Sequence, residues 1–208
     1  MSSLVPYMSD GEIRGHARAL LDAHHAAGTI PVPIDVIAEV ELGLEIIPIP
    51  GILDSRGING YLTSDRRAIY VDERLFRVAE TRYLFTIAHE IAHLRMHQDY
   101  FPVFKSDDEW LAFRAGLTAE SLGTAEFQAN TFAGLVLVPE TVLPGVVEES
   151  FGRLAARVKE QYGDFDFASD AFWDQVAEDI KGRFRVAHDT ARICLQNDGF
   201  WGKVLGKG

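Results

Sequence analysis

The residues with the clearest chemical potential are Ala88-His89-Glu90-Ile91-Ala92-His93, an H-E-x-x-H series. On a helix, positions four apart lie on one face, one above the other, so His89 and His93 can converge on a single ion. Glu90 projects beside that face and can reach a water held there, which makes it the candidate general base. The chemistry implied is zinc-assisted hydrolysis of a peptide bond, with the ion as Lewis acid and Glu90 moving the proton. By composition alone the triplet would arise in about one such chain in sixty, so its setting matters. Leu84, Ile87, Ile91 and Leu94 form an apolar stripe opposite the ligand face, and Phe85, Ala88 and Ala92 make the rest largely apolar. That is the pattern of a buried active-site helix. The competing structural reading is a half-buried helix whose histidines make ordinary hydrogen bonds, but it gives no reason for Glu90.

A catalytic zinc takes three protein ligands and keeps one position open. His97 continues the i, i+4 series, but a straight helix places its Cα about 6 Å beyond His93 and about 12 Å beyond His89. A glycine three residues after the second histidine would allow a bend, and Met96 stands there instead. His97 therefore reads as a supporting residue of the site. The better third ligand is Glu126 in Ala125-Glu-Phe-Gln-Ala-Asn130, on a helix whose Ala129 and Ala133 permit close packing. Asn130 shares its face at i+4 and can bond the far nitrogen of a ligating histidine. The alternative for Glu126 is a favourable charge in a first helical turn. Glu120 and Asp107 to Glu109 are other carboxylates, in a less regular stretch.

Several elements must position these groups. Asp10 or Ser9 caps a helix through Ile13, Ala17, Leu20, Leu21 and Ala27, ending near Gly28, with His24 and His25 favourably placed at its C-terminus. Asp35 to Val40 reads as a short helix and Leu44 to Ile49 as a strand. Ile58 to Thr63 and Ala68 to Asp72 read as a hairpin across Ser64-Asp-Arg-Arg67. The H-E-x-x-H helix spans roughly Thr81 to Gln98. A long connection follows from Tyr100 to Gly123, helical around Trp110 to Leu117. Thr124 is the expected cap of the next helix, which stops near Val138-Pro139. Glu148 to Tyr162 reads as helix, and the tail from Phe172 holds two more short helical stretches. The expected organisation is one domain over residues 1–165 and a helical tail over 166–208.

Composition narrows the function classes. Apolar residues make 47% of the 208 residues and charged residues 25%, so a packed core is expected. No run of about eighteen apolar residues occurs, which excludes a membrane-spanning helix. The first ten residues do not read as a secretion signal. The single cysteine, Cys194, allows no internal disulfide, and the expected compartment is the cytoplasm. The net charge is −11, which argues against nonspecific DNA binding. From Trp173 onward six basic residues face five acidic ones, so the remaining body carries −12.

Two stretches, Arg82-Tyr-Leu-Phe-Thr-Ile-Ala-His-Glu-Ile-Ala-His-Leu-Arg-Met-His97 and Glu126-Phe-Gln-Ala-Asn-Thr-Phe-Ala-Gly-Leu-Val-Leu-Val-Pro139, resemble the ImmA/IrrE family of zinc metallopeptidases. With the preceding helix, strand and Gly-Tyr hairpin, the resemblance covers roughly Ile30 to Pro139. It implies His89, His93 and Glu126 as zinc ligands and Glu90 as base. It also implies an α+β, gluzincin-like core, with a small mixed or antiparallel sheet packed on the H-E-x-x-H helix and a helical tail. Known members cut helix-turn-helix repressors, so the resemblance implies a metalloprotease acting in transcription regulation. The connection from His97 to Glu126 is long for the pattern. Phe184 to Leu195 is similar to the helix-turn-helix-like tail of some members, although Val176, Ile180, Phe184, Val186 and Ile193 could equally be a packing helix pair.

The expected reaction is peptide hydrolysis on a substrate added as a strand to the edge at Ile58 to Thr63. Tyr61, His97 and Tyr100 are candidate donors to the oxyanion. The expected partner is a protein substrate, not a membrane and not DNA directly. Two other classes compete. A regulatory binding module would hold zinc only as a structural clasp and would not need Glu90. A DNA-binding regulator acting through the tail would show steeply salt-dependent affinity.

Overall fold

The computed structural model describes residues 4–197. By its internal contacts the chain falls into two compact units. One joins the residues up to Ala27 with Pro33–Val136, and the other joins Gly28–Val32 with the chain from Leu137 onward. The expected boundary between residues 165 and 166 falls inside the second unit. Residues 198–208 of the expected tail lie outside the described residues.

The first unit opens with helix α1, Asp10–His24. Ser9 and Glu12 close a reciprocal capping box at its start, which satisfies two backbone donors the helix cannot bond itself. Ile13, Ala17 and Leu20 recur at helical spacing and are buried. At the far end the His24 Nδ1 lies 3.5 Å from a Glu41 oxygen. Helix α2 is a single turn, Ile34–Val36, that continues as a π-helical turn over Ile37–Glu41.

Strand β1, Glu45–Ile49, pairs in parallel with β3, Ala68–Asp72, and β3 pairs antiparallel with β2, Gly60–Leu62. The sheet is mixed, in the order β1-β3-β2, so β2 is an edge. The hairpin turn is set locally: Asp65 Oδ1 accepts from the Thr63 hydroxyl and the Arg67 N–H, and Arg66 takes the left-handed conformation at φ 61°. Short helices α3, Ile52–Arg56, and α4, Glu73–Val78, flank the sheet. The buried Asp72 ties them together, accepting from the N–H groups of Leu53 and Arg74 and from the Arg74 guanidinium. Those bonds hold its carboxyl below the usual range.

Helix α5, Glu80–Met96, packs under β2 and β3. Nine of its residues are buried, including Leu84, Ile87, Ala88, Ile91 and Ala92. Gly60 explains how close the strand comes. A Cβ there would collide with the Tyr70 carbonyl and stand 2.9 Å from Thr86 Cγ2 on α5. Helix α6, Asp107–Ala115, has no buried residue, and α7, Ala119–Leu137, follows. The start of α7 differs from the expected cap at Thr124. Thr118 accepts the Ser121 N–H at 3.2 Å, and Thr124 lies inside the helix, donating its hydroxyl to the Glu120 carbonyl. Gly123 only looked like a break, because one exposed glycine costs a helix about 1 kcal/mol and is tolerated.

The second unit contains α8, Leu143–Tyr162, α9, Asp170–Phe184, and α10, His188–Asn197. Phe172, Trp173, Val176, Ile180 and Phe184 are buried along α9, with Phe151 edge-on to Phe172 at 5.2 Å. Arg185, left-handed at φ 53°, turns the chain from α9 into α10. Val186 is buried, whereas Ile193 is 53% exposed and does not join this core. No helix among the described residues is long and apolar enough to cross a membrane.

Candidate metal centre

His89 and His93 stand one helical turn apart on α5, with their Nε2 atoms 3.1 Å apart. Glu126, in the middle of α7, places Oε2 3.3 Å from His89 Nε2 and Oε1 3.9 Å from His93 Nε2. Its place well inside the helix removes the alternative that it is merely a first-turn charge. One ligand atom from each of the three lies within 4.8 Å of the others. Two ligands about 2.1 Å from a tetrahedral ion are separated by about 3.4 Å, so these spacings fit a zinc-sized cation. Among the described residues no other group of three such side chains is assembled. The alternative carboxylates are engaged elsewhere: Asp107 on β2, Asp108 with Arg56 at 3.5 Å, and Glu109 on the Lys105 N–H.

The far nitrogens of both histidines are held. His89 Nδ1 meets Asn130 Oδ1 at 3.0 Å. An amide oxygen only accepts, so His89 carries its proton on Nδ1 and leaves Nε2 a free lone pair. His93 Nδ1 meets His97 Nδ1 at 2.8 Å, and His97 Nε2 meets Gln128 Oε1 at 2.8 Å. Since Gln128 Nε2 donates to the Pro6 carbonyl at 2.8 Å, its oxygen is the acceptor for His97. The chain of donors then has one direction. His93 donates to His97, His97 to Gln128, and Gln128 to the backbone of the N-terminal segment. His97 is fully buried and stands behind His93, outside the group of three that could hold an ion.

Electrostatics support cation binding. Burial alone would raise the Glu126 carboxyl, yet His89, His93 and Arg114 hold it down at about 2. Burial and the neighbouring histidines keep His93 well below the usual imidazole range, so it is neutral. Burial lowers His97 as well, against its bond to Gln128. His89 is raised: burial works against the proton, but Glu126 and Glu90 favour it more. An ionised carboxylate beside imidazole lone pairs is the donor set a divalent ion requires.

Glu90 is buried, and its Oε2 accepts the Leu62 N–H at 2.9 Å. Burial pushes its carboxyl up to about 7, against the pull of His89 and the Leu62 bond. That is the range a group needs in order to take and return a proton near neutral pH. The Leu62 contact also defines the strand edge. The β2 residues bonded to β3 are the odd-numbered ones, with Thr63 N–H on Ala68 and the Asn59 carbonyl on Asp72. Leu62 and Ser64 therefore point their N–H groups away from the sheet. Glu90 occupies the first, and Asp107 Oδ1 the second at 3.0 Å.

A cleft of about 690 Å³, including its solvent mouth, opens beside the cluster. Phe101, Phe104, Trp110, Leu117 and Leu122 line one wall, and Arg66 and Arg114 add charge. Tyr61 lines it too, its hydroxyl 3.4 Å from Asp107. Burial, then Asp107, raises that phenol. Tyr100 does not line the cleft; its N–H donates to the His97 carbonyl. Sequence reasoning missed Gln128 and Arg114, whose Nη2 lies 2.7 Å from Glu126 Oε1, and took Asp107 only as an alternative ligand, not as a partner of the strand edge. Gln128 alone left a trace, as a polar residue between Glu126 and Asn130 in the segment the sequence already singles out.

An α+β fold with a possible His-His-Glu metal site, a buried carboxylate beside it and a strand edge along the cleft has the groups a metallohydrolase needs. The relationship is closer than class. Residues 42–163 match the profile of peptidase family M78, described as the IrrE N-terminal-like domain, and with more than half its length matched this chain belongs to that family. Among solved structures it is similar to a Mycobacterium tuberculosis transcriptional regulator, at 16% identity and a TM-score of 0.50. The match covers 88% of this chain but 50% of that one, so this chain spans half the regulator's length. No curated protein sequence matches the chain significantly.

Proposed function

We propose that this protein is a zinc-dependent endopeptidase that makes a selective cut in a helix-turn-helix transcriptional repressor. The observation that carries the hydrolytic reading is Glu90, buried beside the His89, His93 and Glu126 cluster with its carboxyl near 7. A structural metal site has no use for such a group. Membership of a peptidase family supports the same reading.

His89, His93 and Glu126 would hold the ion, which supplies a Lewis acid and makes water acidic enough to deprotonate near neutral pH. Glu90 takes that proton and returns it to the leaving amine. The substrate adds as a strand along β2, where its backbone replaces Asp107 at the Ser64 N–H. Tyr61, released from Asp107 by the same exchange, is the one of the three oxyanion candidates that lines the cleft. A folded target must therefore offer an extended loop or linker. The structural likeness to a transcriptional regulator is in keeping with a regulatory setting. A repressor as target would place the activity in the cytoplasm, and the −12 body would attract its basic DNA-binding face.

The test is to incubate the zinc-loaded protein with a panel of such repressors and to map products by mass spectrometry, with Glu90→Gln as control. A single cut in one repressor, absent in the control, is expected. Equally fast digestion of unfolded casein would remove the selectivity claim. Binding without any cut would favour a regulatory binding module.

A further inference from the structure

Arg114 stands in the last turn of α6, in the stretch that is long for the family pattern, and it lines the cavities on both sides of the ligand cluster. Its Nη2 donates to Glu126 Oε1 at 2.7 Å, the length of a charge-assisted bond. Glu126 Oε2 lies instead 3.3 Å from His89 Nε2. The carboxylate is thus divided: Oε2 faces His89, while Oε1, 3.9 Å from His93 Nε2, is bonded to the guanidinium.

That division bears on what the cluster can offer a cation. A carboxylate presents a metal with one oxygen or with two. A catalytic zinc site needs three protein donors and one free position, and a second oxygen from the same carboxylate would compete for that position. We propose that Arg114 is a positioning residue of the metal centre, which withholds Oε1 of Glu126 so that the carboxylate offers the ion a single oxygen. This rests on the reading that His89, His93 and Glu126 bind the ion. The simpler role would be charge neutralisation: Arg114 would then only relieve a partly buried carboxylate during folding, and the ion would not sense its removal.

Cobalt(II) separates the two, because its visible absorption is strong with four ligands and weak with five or six. The protein would be loaded with cobalt as wild type, Arg114→Met and Arg114→Lys, with zinc affinity measured in parallel by chelator competition. Wild type is expected to give the strong band. Arg114→Met should lose severalfold in band intensity while binding zinc as tightly or more tightly, and Arg114→Lys, which keeps a donor, should recover most of the band. An unchanged band in Arg114→Met, with only a lower melting temperature of the metal-free protein, would overturn the proposal. If Arg114→Met does not fold, Arg114→Leu, which also lacks a donor, gives the same comparison. Failure of wild type to bind cobalt would instead refute the metal reading itself, and this inference with it.

Discussion

The two walls of the cleft are built differently. On one side α5 and α7 carry the proposed ligands, and the far nitrogen of each histidine is held: His89 by Asn130, and His93 by His97 and then Gln128. On the other side residues 101–115 form a surface segment in which α6 has no buried residue. Four rings, Phe101, Phe104, Trp110 and Phe113, pack on one another at 5.1–6.2 Å, with Phe101 also 6.0 Å from the His97 ring, and the Trp110 Nε1–H has no partner. An unsatisfied buried donor costs about 1–3 kcal/mol. The first wall is organised to hold geometry. The second reaches the site through Phe101 against His93 and His97, Asp107 on the strand edge and Arg114 on Glu126, and on the proposed reading it is the side a substrate displaces.

The contrast can be broken most severely at Glu90. Glu90→Gln keeps the shape of the rigid wall and removes proton transfer, so peptide cleavage should fall by about 10²–10⁴-fold with the metal content unchanged. Cleavage within a few-fold of wild type would show that another group is the base. A smaller effect is expected further back in the same wall. Gln128→Leu removes the acceptor that orients His97, and His97→Ala removes the support of His93. Each should weaken zinc binding by about 10–100-fold in chelator competition without abolishing it. If either variant left affinity untouched, the relay would be packing alone. The smallest effect belongs to the wall formed by residues 101–115. Asp107→Ala frees the Ser64 N–H, and the KM for extended peptides should drop by about 2–10-fold with kcat nearly constant, as one hydrogen bond no longer has to be displaced. A rise in KM would mean that Asp107 helps to hold substrate.

The same contrast sets what the sequence reveals. The ligand wall is legible because its residues stand at helical spacing: His89, Glu90 and His93 within one turn, then Glu126 and Asn130 within another. The hairpin is legible from its polar turn, and α1 from Ser9 and its apolar period. Arg114 and Asp107 carry no such mark. Each looks like an ordinary charge on a solvated helix, and its meaning arises only where α6 meets Glu126 and Ser64. Helices α3 and α4, of 5 and 6 residues, are too short to show a period and are held largely by Asp72. Thr124 looked like a cap because Gly123 precedes it, whereas the helix gains more by running through to Thr118.

The most direct test is the metal itself. After reconstitution and removal of excess ion, elemental analysis should find about one zinc per chain in wild type and in Glu90→Gln, and none retained in Glu126→Ala. Wild type without a transition metal, or Glu126→Ala holding zinc while His97→Ala loses it, would contradict the assignment of the three ligands.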